Sequence, residues 1–229
     1  MLSVNNLTGF GSGVAGGASL TFVDSTGSDT ESRNYTFSGH AIGDASDDRT
    51  VFVEVLTIGD PSLAVSSLTI GGSGAAKAVA LPGANHESEI WYLDVASGTT
   101  ADIIVNYPGS PAAVQVGCLI GVWASTGIDS GSGPTATGTS TASPGSISIA
   151  IPAGGILLSC TAINNPTTGF TWANITEGFE GIVSTKYGNW YGSGAGILDV
   201  AGSTPTITVT YTSSAGSTRV MCAAAFGPS

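Results

Sequence analysis

Ala101-Asp102-Ile103-Ile104-Val105-Asn106-Tyr107 puts Ile103, Val105 and Tyr107 on one face of an extended chain. A period of two is the mark of a strand with one buried face. Thr206-Ile207-Thr208-Val209-Thr210-Tyr211 repeats the pattern with its threonines facing out, and Ser146-Ile147-Ser148-Ile149-Ala150-Ile151 alternates in the same way. The β-branched residues in these stretches suit a pleated surface. Clusters of Gly, Pro and Asn interrupt such stretches at roughly 8–12-residue intervals, the spacing of an antiparallel sandwich or barrel. No stretch of a dozen residues carries apolar positions at helical spacing. The expected fold is all-β, an antiparallel β-sandwich of jelly-roll or Ig-like kind.

The chain has 229 residues, with 34 Gly and 10 Pro. Five Lys or Arg stand against sixteen Asp or Glu, for a net charge of −11. That balance is wrong for gripping nucleic acid or an anionic membrane surface, so neither is an expected partner. No run of about 20 apolar residues is present to span a bilayer. Met1-Leu2-Ser3-Val4-Asn5-Asn6 offers neither a positive n-region nor an apolar h-region, so no secretory signal is expected. An apolar content of 41% is enough to build a core.

Self-comparison shows an internal repeat. Leu93-Asp94-Val95-Ala96 returns as Leu198-Asp199-Val200-Ala201. With one deletion at Ser97, Ile103, Val105 and Tyr107 fall on Ile207, Val209 and Tyr211, and Val116 and Cys118 fall on Val220 and Cys222. Upstream, Val51-Phe52-Val53 falls on Ile156-Leu157-Leu158, and Pro61 on Pro166. The matched positions are the inward-facing apolar ones, which composition alone would not select. The expected organisation is an N-terminal arm and extra strand over 1–35, a first sandwich copy over 36–124, a linker over 125–140 and a second copy over 141–229. Whether the copies are separate sandwiches or halves of one is open at this level. Residues 1–35 read either as an arm to a neighbouring subunit, with Phe10, Leu20 and Phe22 as contacts, or as an edge strand of the chain's own sheet.

Reactive chemistry is sparse. His86, Glu87 and Glu89 lie close in sequence, but on a strand Glu87 and Glu89 share a face that His86 does not, and a solvated loop explains them more simply. No nucleophile elbow, P-loop or HExxH occurs, so the chain is not expected to be an enzyme or to need a cofactor. Asp44, Asp47 and Asp48 could supply oxygens to Ca²⁺, but the spacing is not that of an EF-hand; a turn with Arg49 paired to one aspartate is the simpler reading. Cys118, Cys160 and Cys222 show no CxxC spacing and read as buried thiols in a reducing compartment. Tyr187, Trp190 and Tyr191, in a Gly-flanked segment, are the candidate ligand contacts.

Phe37-Ser38-Gly39-His40-Ala41-Ile42-Gly43-Asp44, with Asp48-Arg49-Thr50-Val51-Phe52-Val53, resembles a group of β-rich proteins encoded among the structural genes of tailed bacteriophages. Leu68-Thr69-Ile70-Gly71-Gly72, Ile90-Trp91-Tyr92 and Gly121-Val122-Trp123 fit the same group. The resemblance covers 36–124 and reaches the second copy through the repeat. It implies a virion structural protein assembled in the host cytoplasm, most simply a capsid decoration or cement protein. Its partners would be the major capsid protein and other copies of itself, a trimer being one candidate. A tail-tip or fibre adhesin binding host glycan through the Trp190 segment is the alternative.

Overall fold

Thr50–Gly59, read as TVFVEVLTIG, is apolar on both of its faces, and all ten of its residues are buried. A strand of that kind needs a sheet packed on each side, and the architecture supplies both. The structure is a computed structural model describing residues 18–59, 63–83, 85–108, 115–164, 169–186, 188–211 and 219–229; Phe10 and Tyr187 lie outside these. Among the described residues the secondary structure is strand, all of it antiparallel where strands pair, and no helix occurs.

Strands are numbered in chain order. One inner sheet runs β1 (Ser19–Ser28), β9 (Gln115–Thr126), β3 (Thr50–Gly59), β7 (His86–Asp94), β6 (Ala76–Pro82). Its outer partner runs β2 (Asn34–Ala41), β8 (Thr100–Asn106), β4 (Ser67–Ile70), β5 (Ser73–Gly74). The second inner sheet runs β10 (Ala136–Ser140), β17 (Arg219–Phe226), β12 (Gly155–Asn164), β15 (Trp190–Asp199), β14 (Thr176–Ser184). Its outer partner is β11 (Gly145–Ser148), β16 (Thr206–Thr210), β13 (Thr171–Ala173). The sheet order is therefore the same twice over, with β1 matching β10, β9 matching β17 and β3 matching β12.

The four sheets stack as two sandwiches back to back and enclose three cores. Val51, Val53 and Val55 meet Tyr35, Leu68, Ile103 and Val105 in the first outer core. Leu157, Met221 and Ala223 meet Ile147, Ile207 and Val209 in the second. Phe52, Leu56, Leu119 and Trp123 meet Leu158, Cys160, Phe179 and Phe226 in the middle one. β1 lies against β14 and β10 against β6, so the copies are related by an approximate two-fold axis along the strands, as in an isologous dimer.

Of the two readings of 1–35 the edge strand holds over the described residues, and the linker expectation needs correcting. Ser19–Ser28 is an edge strand of the chain's own sheet, paired with β9 from Ser19↔Thr126 to Ser28↔Cys118. Leu20 and Phe22 are therefore intramolecular contacts: Phe22 sits edge-on to Trp123 at 5.2 Å and stacks on Phe179 at 5.9 Å. The stretch 125–140 is also more than a linker, because Ala136–Ser140 is β10, the counterpart of β1. The rest of that stretch is tied down. Asp48 accepts from the Gly127 amide, the Ser130 hydroxyl donates to Asp94, and Ile128 bridges to Pro228.

Arg49 is 1% exposed and closes the base of the first copy. Among the described residues it forms no ion pair with an aspartate, and Asp44 acts on its charge only from a distance. Its guanidinium donates to three backbone carbonyls, Val95 and Gly43 at 2.7 Å each and Ser97 at 2.9 Å, clamping two loops together. Arg49→Met would leave those carbonyls without donors. The expected loss is about 2–4 kcal/mol in urea unfolding.

Candidate functional site

The acidic turn is exposed and already partly committed. Asp44, Asp47 and Asp48 face solvent. Asp48 accepts from the Ser46 hydroxyl and the Gly127 amide, which hold its carboxyl below the usual range. Among the described residues no group of three or more His, Cys, Asp or Glu side chains is arranged to hold a metal ion.

Trp190 is not a surface platform. It is 4% exposed, and its ring packs on His86 at 5.2 Å in the middle core. Tyr191 points the other way and is half-buried against the second outer core. Strand alternation separates the two rings, and no shared stacking surface results.

Cys118 is buried in the first outer core, while Cys160 and Cys222 meet in the middle one with their sulfurs 3.6 Å apart. Ser88 of β7 lies 3.1 Å from one sulfur and 3.2 Å from the other. Burial raises the thiols of Cys118 and Cys160, so neither is a nucleophile. Glu54 also sits in the middle core, accepting from Trp123 Nε1 at 3.0 Å, and burial pushes its carboxyl well above the usual range.

The residues read as a solvated loop form the least expected site. His86, Glu87, Ser88 and Glu89 begin β7, and all four are buried. The apolar alternation of Ile90-Trp91-Tyr92 continues backwards through them, so His86 and Ser88 face the middle core while Glu87, Glu89 and Trp91 face the first outer core. That continuity of phase was the available signal. Two carboxylates on one buried face obscured it, because charge is rare in such a position.

Glu89 is fully matched. The Val65 amide donates to it at 2.8 Å and Trp91 Nε1 at 2.7 Å. Lys77 Nζ lies 2.9 Å away, under the Trp91 ring and donating to the Val65 carbonyl at 3.0 Å. Glu87 is unmatched: neither of its oxygens meets a donor among the described residues. Burial, with the Glu89 carboxylate in hydrogen-bonding reach, pushes the Glu87 carboxyl up to about 8. Glu87 thus keeps its proton at neutral pH.

More unmatched polar atoms surround Glu87. Thr57 is its partner across the β3–β7 ladder, and the Gln115 amide lies over Gly59 with both of its atoms unpaired. The Tyr107 hydroxyl lies in hydrogen-bonding reach of Thr57 and of the Cys118 thiol. The Tyr35 ring, edge-on to Tyr107 at 6.1 Å, separates this cluster from a solvent-facing depression of about 380 Å³ along Gly27–Phe37. The arrangement can hold a proton on Glu87.

No protein-family model matches the chain, and no curated protein matches it significantly.

Proposed function

We propose that the chain is a non-enzymatic structural protein of a tailed-bacteriophage particle, decorating or cementing the capsid exterior as a homo-oligomer against the major capsid protein. The observation that carries this reading is the resemblance of 36–124 to β-rich proteins of phage structural genes. A doubled sandwich with few cations and a net charge of −11 supports it, since such a surface stays soluble and off nucleic acid. Only Ile182 and Val200 are large apolar side chains exposed among the described residues, so contacts to a capsid would be polar or made along strand edges.

Particles assembled without the protein should lose resistance to heat or low salt, and added protein should restore it. If particles keep their resistance and the protein localises to the tail, the cement role fails and the adhesin reading takes its place. That reading would then need a glycan site other than Trp190, which is buried.

A further inference from the structure

We propose that Cys160 and Cys222 are a redox pair that closes to a disulfide when a small-molecule disulfide of the glutathione class reaches the middle core. Strand register places the two thiols. Cys160 on β12 stands directly opposite Cys222 on β17 in the antiparallel ladder, with the sulfurs 3.6 Å apart. Opposed residues of an antiparallel pair have Cα atoms about 4.5–5.5 Å apart, inside the range of about 4.4–6.8 Å that a disulfide spans. The sulfurs need only approach to about 2.05 Å, and neither strand has to slide along the ladder.

The surroundings accept the bond. The Ser88 hydroxyl stands 3.1 and 3.2 Å from the two sulfurs, and it donates to the Cys160 carbonyl at 3.0 Å. Loss of both thiol protons therefore leaves that hydroxyl partnered. A third thiol brought to its place would exchange with the bond, being beside both sulfurs. Cys118 does not compete, because it is buried in the first outer core, on the far face of its own sheet.

Both thiols are fully buried, and burial raises that of Cys160, so exchange belongs to an open form in which the two sandwiches part. β7 covers β12 and β17 by packing alone, whereas β12 and β17 are joined by a ladder within one sheet. Parting thus uncovers the sulfurs and keeps them opposed. One cysteine thiolate attacks the small disulfide, forming a mixed disulfide and releasing one thiol of the reagent. The other cysteine attacks the protein sulfur of that mixed disulfide and expels the second thiol. Two electrons pass to the reagent, which leaves as two thiols carrying the two protons. The core then closes over a bond between positions 62 apart in sequence.

The test uses the full-length protein incubated with oxidised glutathione at about pH 8. Alkylation after unfolding should find one thiol of the three, Cys118, and peptide mapping should join Cys160 to Cys222. The oxidised protein should melt roughly 5 °C above the reduced one. Cys222→Ala should instead retain glutathione on Cys160 as a stable mixed disulfide, and Cys118→Ala should form the bond as wild type does. Urea below the unfolding midpoint should give the same products faster, since it populates the open form. Three free thiols after incubation in such urea would overturn the proposal, as would a bond to Cys118. An oxidised form that melts below the reduced one would overturn it too, because the closed core would then reject the bond.

Discussion

Gly121→Ala should cost about 3 kcal/mol or more in urea unfolding, although it adds only one methyl group. Gly121 lies in β9 and faces the middle core, where a Cβ would fall 1.9–2.5 Å from three ring atoms of Phe179. The ring has no room to retreat. Phe22 stacks on it, and a Cβ at Gly194 of β15 would meet the same ring at 2.2 Å. Phe179 therefore occupies a slot between a glycine of each copy, and the two inner sheets close upon it. Two comparisons isolate the cause. Gly74→Ala, with nothing near its added carbon, should change stability by less than about 0.5 kcal/mol. Phe179→Leu added to Gly121→Ala should recover part of the loss, as contacting residues couple in a double-mutant cycle. Strict additivity of the two would mean that the inner sheets do not meet at this point.

Wild type minus Glu87→Gln should lose about 2 kcal/mol of stability between pH 6.5 and 8. The sign follows from where the proton sits. The Glu87 carboxyl is raised from 4.5 to about 8 in the folded chain, so between those values the folded state holds a proton that the unfolded state has released. Stability is full below about pH 4.5, falls as pH rises and levels off above about 8. His86 has the opposite slope in a lower window. Burial lowers it from 6.5 to about 4, so its share is lost as pH falls through that range. Above pH 6.5 its contribution is constant. Glu54 slopes in the same direction as Glu87, and Glu54→Gln should remove that part separately. Chemical denaturation across the pH series checks the assignment. A pH-independent difference between wild type and Glu87→Gln would place Glu87 in water.

What could be read beforehand follows from which residues face inward. Ile103, Val105, Ile207 and Val209 alternate cleanly because the outer sheets bury one face only. The repeat was visible there for the same reason, but its register fails in the inner strands: Val51, Val53 and Cys118 face the first outer core, whereas Ile156, Leu158 and Cys222, aligned with them, face the middle one. β10 was not visible: Ala136-Thr137-Gly138-Thr139-Ser140 is a short edge strand whose Ser, Thr and Gly match turn chemistry as well as strand chemistry. Nothing local shows that β3 and β12 are covered on both faces, because a continuous apolar run does not say what lies against it. Trp190 misled because glycines flank it, and the middle core that buries it is built from residues distant in sequence. Glu87 and Glu89 misled through charge. Their burial depends on Lys77, Trp91 and the Val65 amide, a set of partners that only the tertiary fold assembles.

The two copies meet face to face across a middle core, and Ser88→Cys tests that contact directly. Ser88 on β7 of the first copy reaches both sulfurs of the second, while Cys118 lies on the opposite face of its own sheet. Mild oxidation followed by peptide mapping should find position 88 joined to Cys160 or Cys222. A bond from position 88 to Cys118 would contradict the back-to-back arrangement.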